Sequence, residues 1–111
     1  MRLLVVGSRS ILEFNLSLYI PEETAAIISS GACGIDNLAE QYADIMHISK
    51  FVLLPNYKLY GRAAPLLRNK EMVEMSDAVL AVWDGKSRGT MFTIEYARKQ
   101  GKPINIVAVN S

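Results

Sequence analysis

The chain has 111 residues and a net charge of +1; half of its residues are apolar, and it holds one cysteine and one histidine. That length suits one domain with a single modest core, so 1–111 is expected to fold as one unit. No apolar run approaches the roughly 18–20 residues of a membrane span. A lone cysteine excludes an internal disulfide framework and fits the cytoplasm, and one cysteine with one histidine makes no ordinary zinc site, so no metal is expected.

Apolar runs recur along the chain, each followed by a turn signal and then a helical pattern. The first, Leu3–Val6, precedes Gly7-Ser8-Arg9. Residues 11–20, ended by Pro21, are a short helix candidate. Ala25–Ser29 is the second strand, and 35–47 carries Ile35, Leu38, Tyr42, Ile45 and Met46 at helical spacing. Phe51–Leu54 is the third strand. Helix 66–75 follows, with Arg68 and Asn69 set inside an apolar stripe, a pair that either caps a strand end or faces a pocket. Ala78–Trp83 is the fourth strand, 90–100 a helix stopped by Gly101 and Pro103, and Ile104–Val109 the fifth strand. The first, fourth and fifth runs are nearly continuous Val, Ile, Leu and Ala, as parallel strands covered on both faces require. The alternation predicts an α/β fold: a Rossmann-like, three-layer open parallel sheet of about five strands with helices on both faces.

Such sheets place ligands beyond the carboxyl ends of their strands. The residues there are small, hydroxyl-bearing or basic: Gly7-Ser8-Arg9; Ser30, Gly31, Gly34 and Asp36; Tyr60-Gly61-Arg62; and Asp84, Gly85, Ser87, Arg88, Gly89 and Thr90. Glycine admits close backbone approach, a helix start offers unpaired N–H groups, and arginine grips phosphate in bidentate fashion. Together these describe an anion site with Arg9, Arg62 and Arg88 in reach. The charge is also uneven. Residues 1–49 hold two basic and six acidic side chains, residues 50–111 ten and five. Gly85-Lys86-Ser87 does not end an ATP-binding phosphate loop, because the required glycine five residues earlier is Leu80.

Gly7-Ser8-Arg9 and Ser30-Gly31-Ala32-Cys33-Gly34-Ile35-Asp36-Asn37-Leu38-Ala39-Glu40 together resemble the SLOG superfamily, which contains the DprA proteins and the LOG-type phosphoribohydrolases. Lys58-Leu59-Tyr60-Gly61-Arg62-Ala63-Ala64, Arg68-Asn69-Lys70-Glu71-Met72-Val73 and Trp83-Asp84-Gly85-Lys86-Ser87-Arg88-Gly89-Thr90 narrow the likeness to its small, single-domain, bacterial and phage YspA-type branch. The resemblance spans nearly the whole chain. It implies a nucleotide or nucleotide-derived ligand at the loops named above, a central first strand and frequent homodimers. It places Gly7, Ser8, Arg9, Gly31, Gly34, Asp36, Arg68, Asn69, Gly85, Ser87, Arg88, Gly89 and Thr90 on family motifs. Ser30 stands where the pattern has a second glycine.

The hydrolase members carry Pro-Gly-Gly-x-Gly-Thr-x-x-Glu. Here the glutamate position falls on Thr93. Glu95 lies about 200° further round a helix, where pairing with Lys99 accounts for it. Asp36, Asp84 and Glu95 are the candidate acids or bases. Asp36 also suits a helix start, and Asp84 a turn or a ribose contact. Cys33 is expected to be a small buried residue. Trp83 fits either base stacking or the core. The leading expectation is a nucleotide-derivative sensor or carrier. The alternatives are an N-glycosidase-like enzyme and, against the near-neutral charge, a single-stranded DNA binder.

Overall fold

Leu3, Leu4, Val5 and Val6 are all buried, and a strand sealed on both faces belongs in the middle of a sheet. The computed structural model describes residues 1–109 and puts it there. The strands are β1 (Arg2–Gly7), β2 (Ala26–Ser29), β3 (Ser49–Val52), β4 (Ala78–Trp83) and β5 (Ile104–Ala108). All pair in parallel, in the order β3-β2-β1-β4-β5. The helices are α1 (Ile35–Ile45), the single turn α2 (Tyr57–Tyr60), α3 (Ala64–Met75) and α4 (Arg88–Lys99). This is the expected Rossmann-like α/β architecture.

Side chains alternate across a strand, so β1 feeds two cores. Leu3 and Val5 join Ile27, Leu80 and Val82 beneath Ile35, Ala39 and Ala43 of α1. Leu4 and Val6 join Ile28, Val79 and Ala81 against Met72 and Val73 of α3 and Ile94 and Ala97 of α4. The connections leading to β2 and β3 therefore cover one face, and those leading to β4 and β5 cover the other. The chain leaves β1 in one direction, returns past it, and departs in the opposite one. The point of reversal is the gap between β1 and β4.

Local details differ from expectation. Residues 11–20 form no α-helix; they cover the α1 face irregularly, with one 3-10 turn at Leu16–Leu18. Their buried residues are Ile11, Leu16 and Ile20, while Leu12 and Leu18 are exposed. On an ideal helix Leu16 and Ile20 would stand roughly 140° and 180° from Ile11, so a helix could not bury all three. β3 lies two residues earlier than its apolar run, because its backbone pairing starts at polar Ser49 and Lys50. The stretch before α3 is helical too: α2 and a 3-10 turn at Gly61–Ala63 lead into it, with Pro65 in its first turn.

Candidate functional site

The carboxyl ends of β1, β2 and β4 open onto a cleft of about 450 Å³. Two glycines set its back wall. A Cβ on Gly7 would lie 2.5 Å from both the Val82 carbonyl oxygen and the Ile35 Cβ; one on Gly34 would lie 2.5 Å from the Ser8 carbonyl oxygen. Gly34 also has φ +77°, so only glycine lets α1 start this close to β1. Ser8 is fully buried behind the wall. Its N–H donates to Val82 O (3.1 Å) and its hydroxyl accepts from the Asp84 N–H (3.0 Å), which extends the β1–β4 junction past the ladder.

Several backbone N–H groups of the loops are taken up by the loops' own side chains. Gly31 N–H donates to Ser29 Oγ and Ala32 N–H to Ser30 Oγ, each at 3.2 Å. Lys86 and Ser87 N–H donate to Asp84 Oδ1 at 2.8 and 3.0 Å, and Thr90 N–H to Ser87 Oγ at 3.4 Å. The loops' own hydroxyls and carboxylate occupy those five donors. Side-chain cations stand beside them. Arg9 follows β1 and Lys86 follows β4, both line the cleft, and neither is in the one ion pair among the described residues, Lys50–Asp44.

At the back of the cleft Asp36 does not cap α1, whose N-cap, Gly34, has no side-chain bond. Its carboxyl turns inward, and the residue is 3% exposed. It accepts from the Ser30 N–H (3.2 Å) and, more closely, from the Ser30 hydroxyl. Burial pushes it up to about 6, against the opposing pull of those two donors and of the Arg68 guanidinium. Arg68 is itself lowered by burial, and Asp36 raises it back in part. Its Nη1 donates to the carbonyls of Ser30 and Leu53, each at 3.3 Å, and its Nε to Asn69 Oδ1 at 2.9 Å. Arg68 thus does both things that the sequence left open: it ties the ends of β2 and β3, and it lines the cleft with Asn69.

At the mouth, Asp84 is held down at about 2 by the N–H groups of Lys86 and Ser87, with help from the hydroxyls of Ser8 and Ser10. Ser10 Oγ donates to its Oδ2 at 3.2 Å. Two carboxyl groups in one cleft are therefore driven apart, one toward neutrality and one firmly ionised.

Of the residues singled out from sequence, Gly7, Arg9, Ser30, Asp36, Arg68, Asn69, Asp84, Ser87, Gly89 and Thr90 line this cleft. Ser8, Gly31, Gly34 and Gly85 shape its loops from behind or outside. Arg62 and Arg88 are exposed outside the lining, and so is Glu95, which makes no ion pair with Lys99. Cys33 is exposed rather than buried, since the 31–34 loop turns outward from the Gly34 wall. Trp83 packs against the α3–α4 core and locks the loop through Nε1 to Ser87 O (3.0 Å). The sequence missed Val6, Ser10, Ala32, Lys86, Met72 and Thr93 as lining. Thr93 had a signal, the motif position of a cleft-facing glutamate; it is buried, with its hydroxyl on Gly89 O at 3.0 Å. A second hollow of about 540 Å³, walled by Leu54, Tyr60, Leu67 and Tyr96, shares Arg68 with the first. Among the described residues no three potential ligands cluster for a metal, and no helix is long and apolar enough to cross a membrane. In comparisons with known proteins, no family model, no curated protein and no solved structure matches the chain.

Proposed function

We propose that the chain is a small SLOG-type module that binds a nucleotide or nucleotide-derived ligand in the β1–β4 cleft, as a sensor or carrier. The observation that carries this is the pair Arg9 and Lys86, two cations from adjacent strand ends at the topological switch point. They stand over a hydroxyl-lined cleft whose volume lies in the range of small-molecule sites. A thermal-shift screen against nucleotides, dinucleotides, ADP-ribose and cyclic nucleotides tests it. At about 100 times Kd a ligand stabilises the fold by about 2.7 kcal/mol, several degrees for a domain of this size. A hit must be lost in an Arg9→Ala/Lys86→Ala double variant; a flat panel from folded protein sinks the proposal.

One observation favours turnover: Asp36, buried in the cleft near pKa 6, is suited to proton transfer at neutral pH. In this second version the cleft cleaves an N-glycosidic bond. Release of a free base from a bound nucleotide, abolished in Asp36→Asn, is its signature. Thr93 in place of a glutamate weighs against the hydrolase chemistry implied by the resemblance.

The homodimer that the resemblance implies has a matching surface. Phe51, Val52, Leu54, Tyr57, Leu59, Tyr60, Leu66 and Leu67 are all exposed, and they gather at the β3 edge, α2 and the start of α3. Unpaired edges and apolar patches of this kind are usually covered. Light scattering on wild type and Leu59→Glu distinguishes a dimer built there from a monomer.

A further inference from the structure

The second hollow, of about 540 Å³, has the size of a small-molecule site and shares only Arg68 with the cleft. Leu54, Tyr60 and Leu67 give it an apolar wall, and all three are exposed. Side chains of that size gain when a ligand's apolar group covers them. Much of the remaining lining is charged: Arg68, Lys70, Glu71 and Glu74, two cations and two carboxylates from successive turns of α3.

These four charges do not answer one another. Arg68 and Glu71 stand at i, i+3 and Lys70 and Glu74 at i, i+4, the spacings at which helix neighbours pair. Yet the one ion pair among the described residues is Lys50–Asp44. Glu74 Oε2 instead accepts the Tyr96 hydroxyl at 2.7 Å, and Lys70 Nζ stands 5.5 Å from the centre of the same ring. Arg68 spends Nε and Nη1 on Asn69, Ser30 and Leu53, which leaves its Nη2 without a partner among the described residues. A ligand with one charge would suit half of this lining and be repelled by the other half. A ligand that carries both charges close together, with an apolar group beside them, suits all of it. An α-amino acid with an apolar side chain has that form.

We propose that the second hollow binds a free α-amino acid with an apolar side chain. Lys70 and Arg68 take its carboxylate, Glu71 and Glu74 its ammonium, and Leu54, Tyr60 and Leu67 its side chain. This site is separate from the β1–β4 cleft and does not depend on what the cleft binds. Its apolar wall belongs also to the patch assigned above to a homodimer, while its four charged residues do not.

The experiment is an amide NMR titration with L-phenylalanine, with hydrocinnamate, which lacks the ammonium, and with phenethylamine, which lacks the carboxylate. Leu59→Glu, a change outside the lining, is titrated beside wild type so that a covering second copy cannot mask the hollow. L-Phenylalanine should shift the amides around Leu67 and Tyr96 and leave those of the Gly85–Gly89 loop in place. It should bind about tenfold more tightly than either analogue, the scale of one hydrogen bond to a charged group. In Glu71→Gln/Glu74→Gln its advantage over hydrocinnamate should fall to near one; glutamine keeps an oxygen for the Tyr96 hydroxyl. In Lys70→Met its advantage over phenethylamine should shrink while that over hydrocinnamate remains. Urea midpoints matching wild type check that each variant is folded. Equal binding of the three probes overturns the inference, as does an advantage over hydrocinnamate that survives in the double variant. So do shifts confined to the Gly85–Gly89 loop, or none at millimolar probe in either wild type or Leu59→Glu.

Discussion

Asp36 and Asp84 occupy the same cleft and share one side-chain chemistry, yet they titrate in opposite directions. Asp36 sits where water is excluded and has two donors from a single residue, Ser30; burial wins, and the carboxyl rises to about 6. Asp84 stands in solvent with two backbone N–H groups on one oxygen; hydrogen bonding wins, and the carboxyl falls to about 2. Access to water decides more than the number of partners. Chain position explains the rest. Asp36 is carried by a helix pinned to β1, whereas Asp84 begins a turn that folds back on it.

The comparison breaks most severely through its scaffold. Gly34→Ala should destabilise the protein by ~3–5 kcal/mol, since the new Cβ meets the backbone of Ser8 and Arg9 in a conformation that glycine alone tolerates. Urea denaturation measures it, and a loss below about 1 kcal/mol would show the wall to be soft.

Next is Asp36→Asn. The folded-state pKa of Asp36 lies above its ordinary 3.8, so the native protein holds the proton more tightly than the unfolded chain. Its contribution to stability is whole below about pH 4 and is lost as pH rises through 6. The difference amounts to about 3 kcal/mol. Asp36→Asn should therefore be more stable than wild type at pH 7.5 by ~1–3 kcal/mol, with the gap closing at pH 4. A variant less stable at pH 7.5 would mean that Arg68 holds Asp36 ionised, and the two carboxylates would be alike.

Lys86→Ala should weaken any ligand of the cleft by about tenfold with an unchanged urea midpoint, whereas Arg88→Ala should bind as wild type does. Titration calorimetry with the strongest hit of the screen separates the two.

The smallest effect belongs to the acid limb. Asp84 has a depressed pKa, so its contribution is present above about pH 4 and is lost as pH falls toward 2. Wild type should lose stability over that interval slightly faster than Asp84→Asn does. Thermal melts at pH 2, 3 and 4 follow it.

Much of the fold was legible because β1 and β4 are continuous apolar runs, which have no place except between covered faces. The site's location followed from the order of elements, since loops after parallel strands share an edge. What the sequence withheld was direction. Asp36 near a helix start reads as a cap, and only the Gly34 contact with β1 shows that it faces inward. Arg88 and Lys86 are two residues apart in a basic loop, and which one faces the cleft depends on where α4 begins. Residues 11–20 looked helical by composition, while their buried positions match no single helical face. β3 reads two residues late because its apolar run begins only at Phe51, while its first two residues, Ser49 and Lys50, are polar and all four are exposed.

The central place of β1 has a consequence for the order in which the protein can be assembled. β1 is synthesised first, and β2, α1 and β3 soon follow to cover one of its faces. Its other face, Leu4 and Val6, waits for Met72, Val73 and Ile94. Until β4 arrives, one edge of β1 stays open, since β4 is the strand that closes it. The cleft, whose walls come from both halves, cannot select a ligand until α4 has left the ribosome.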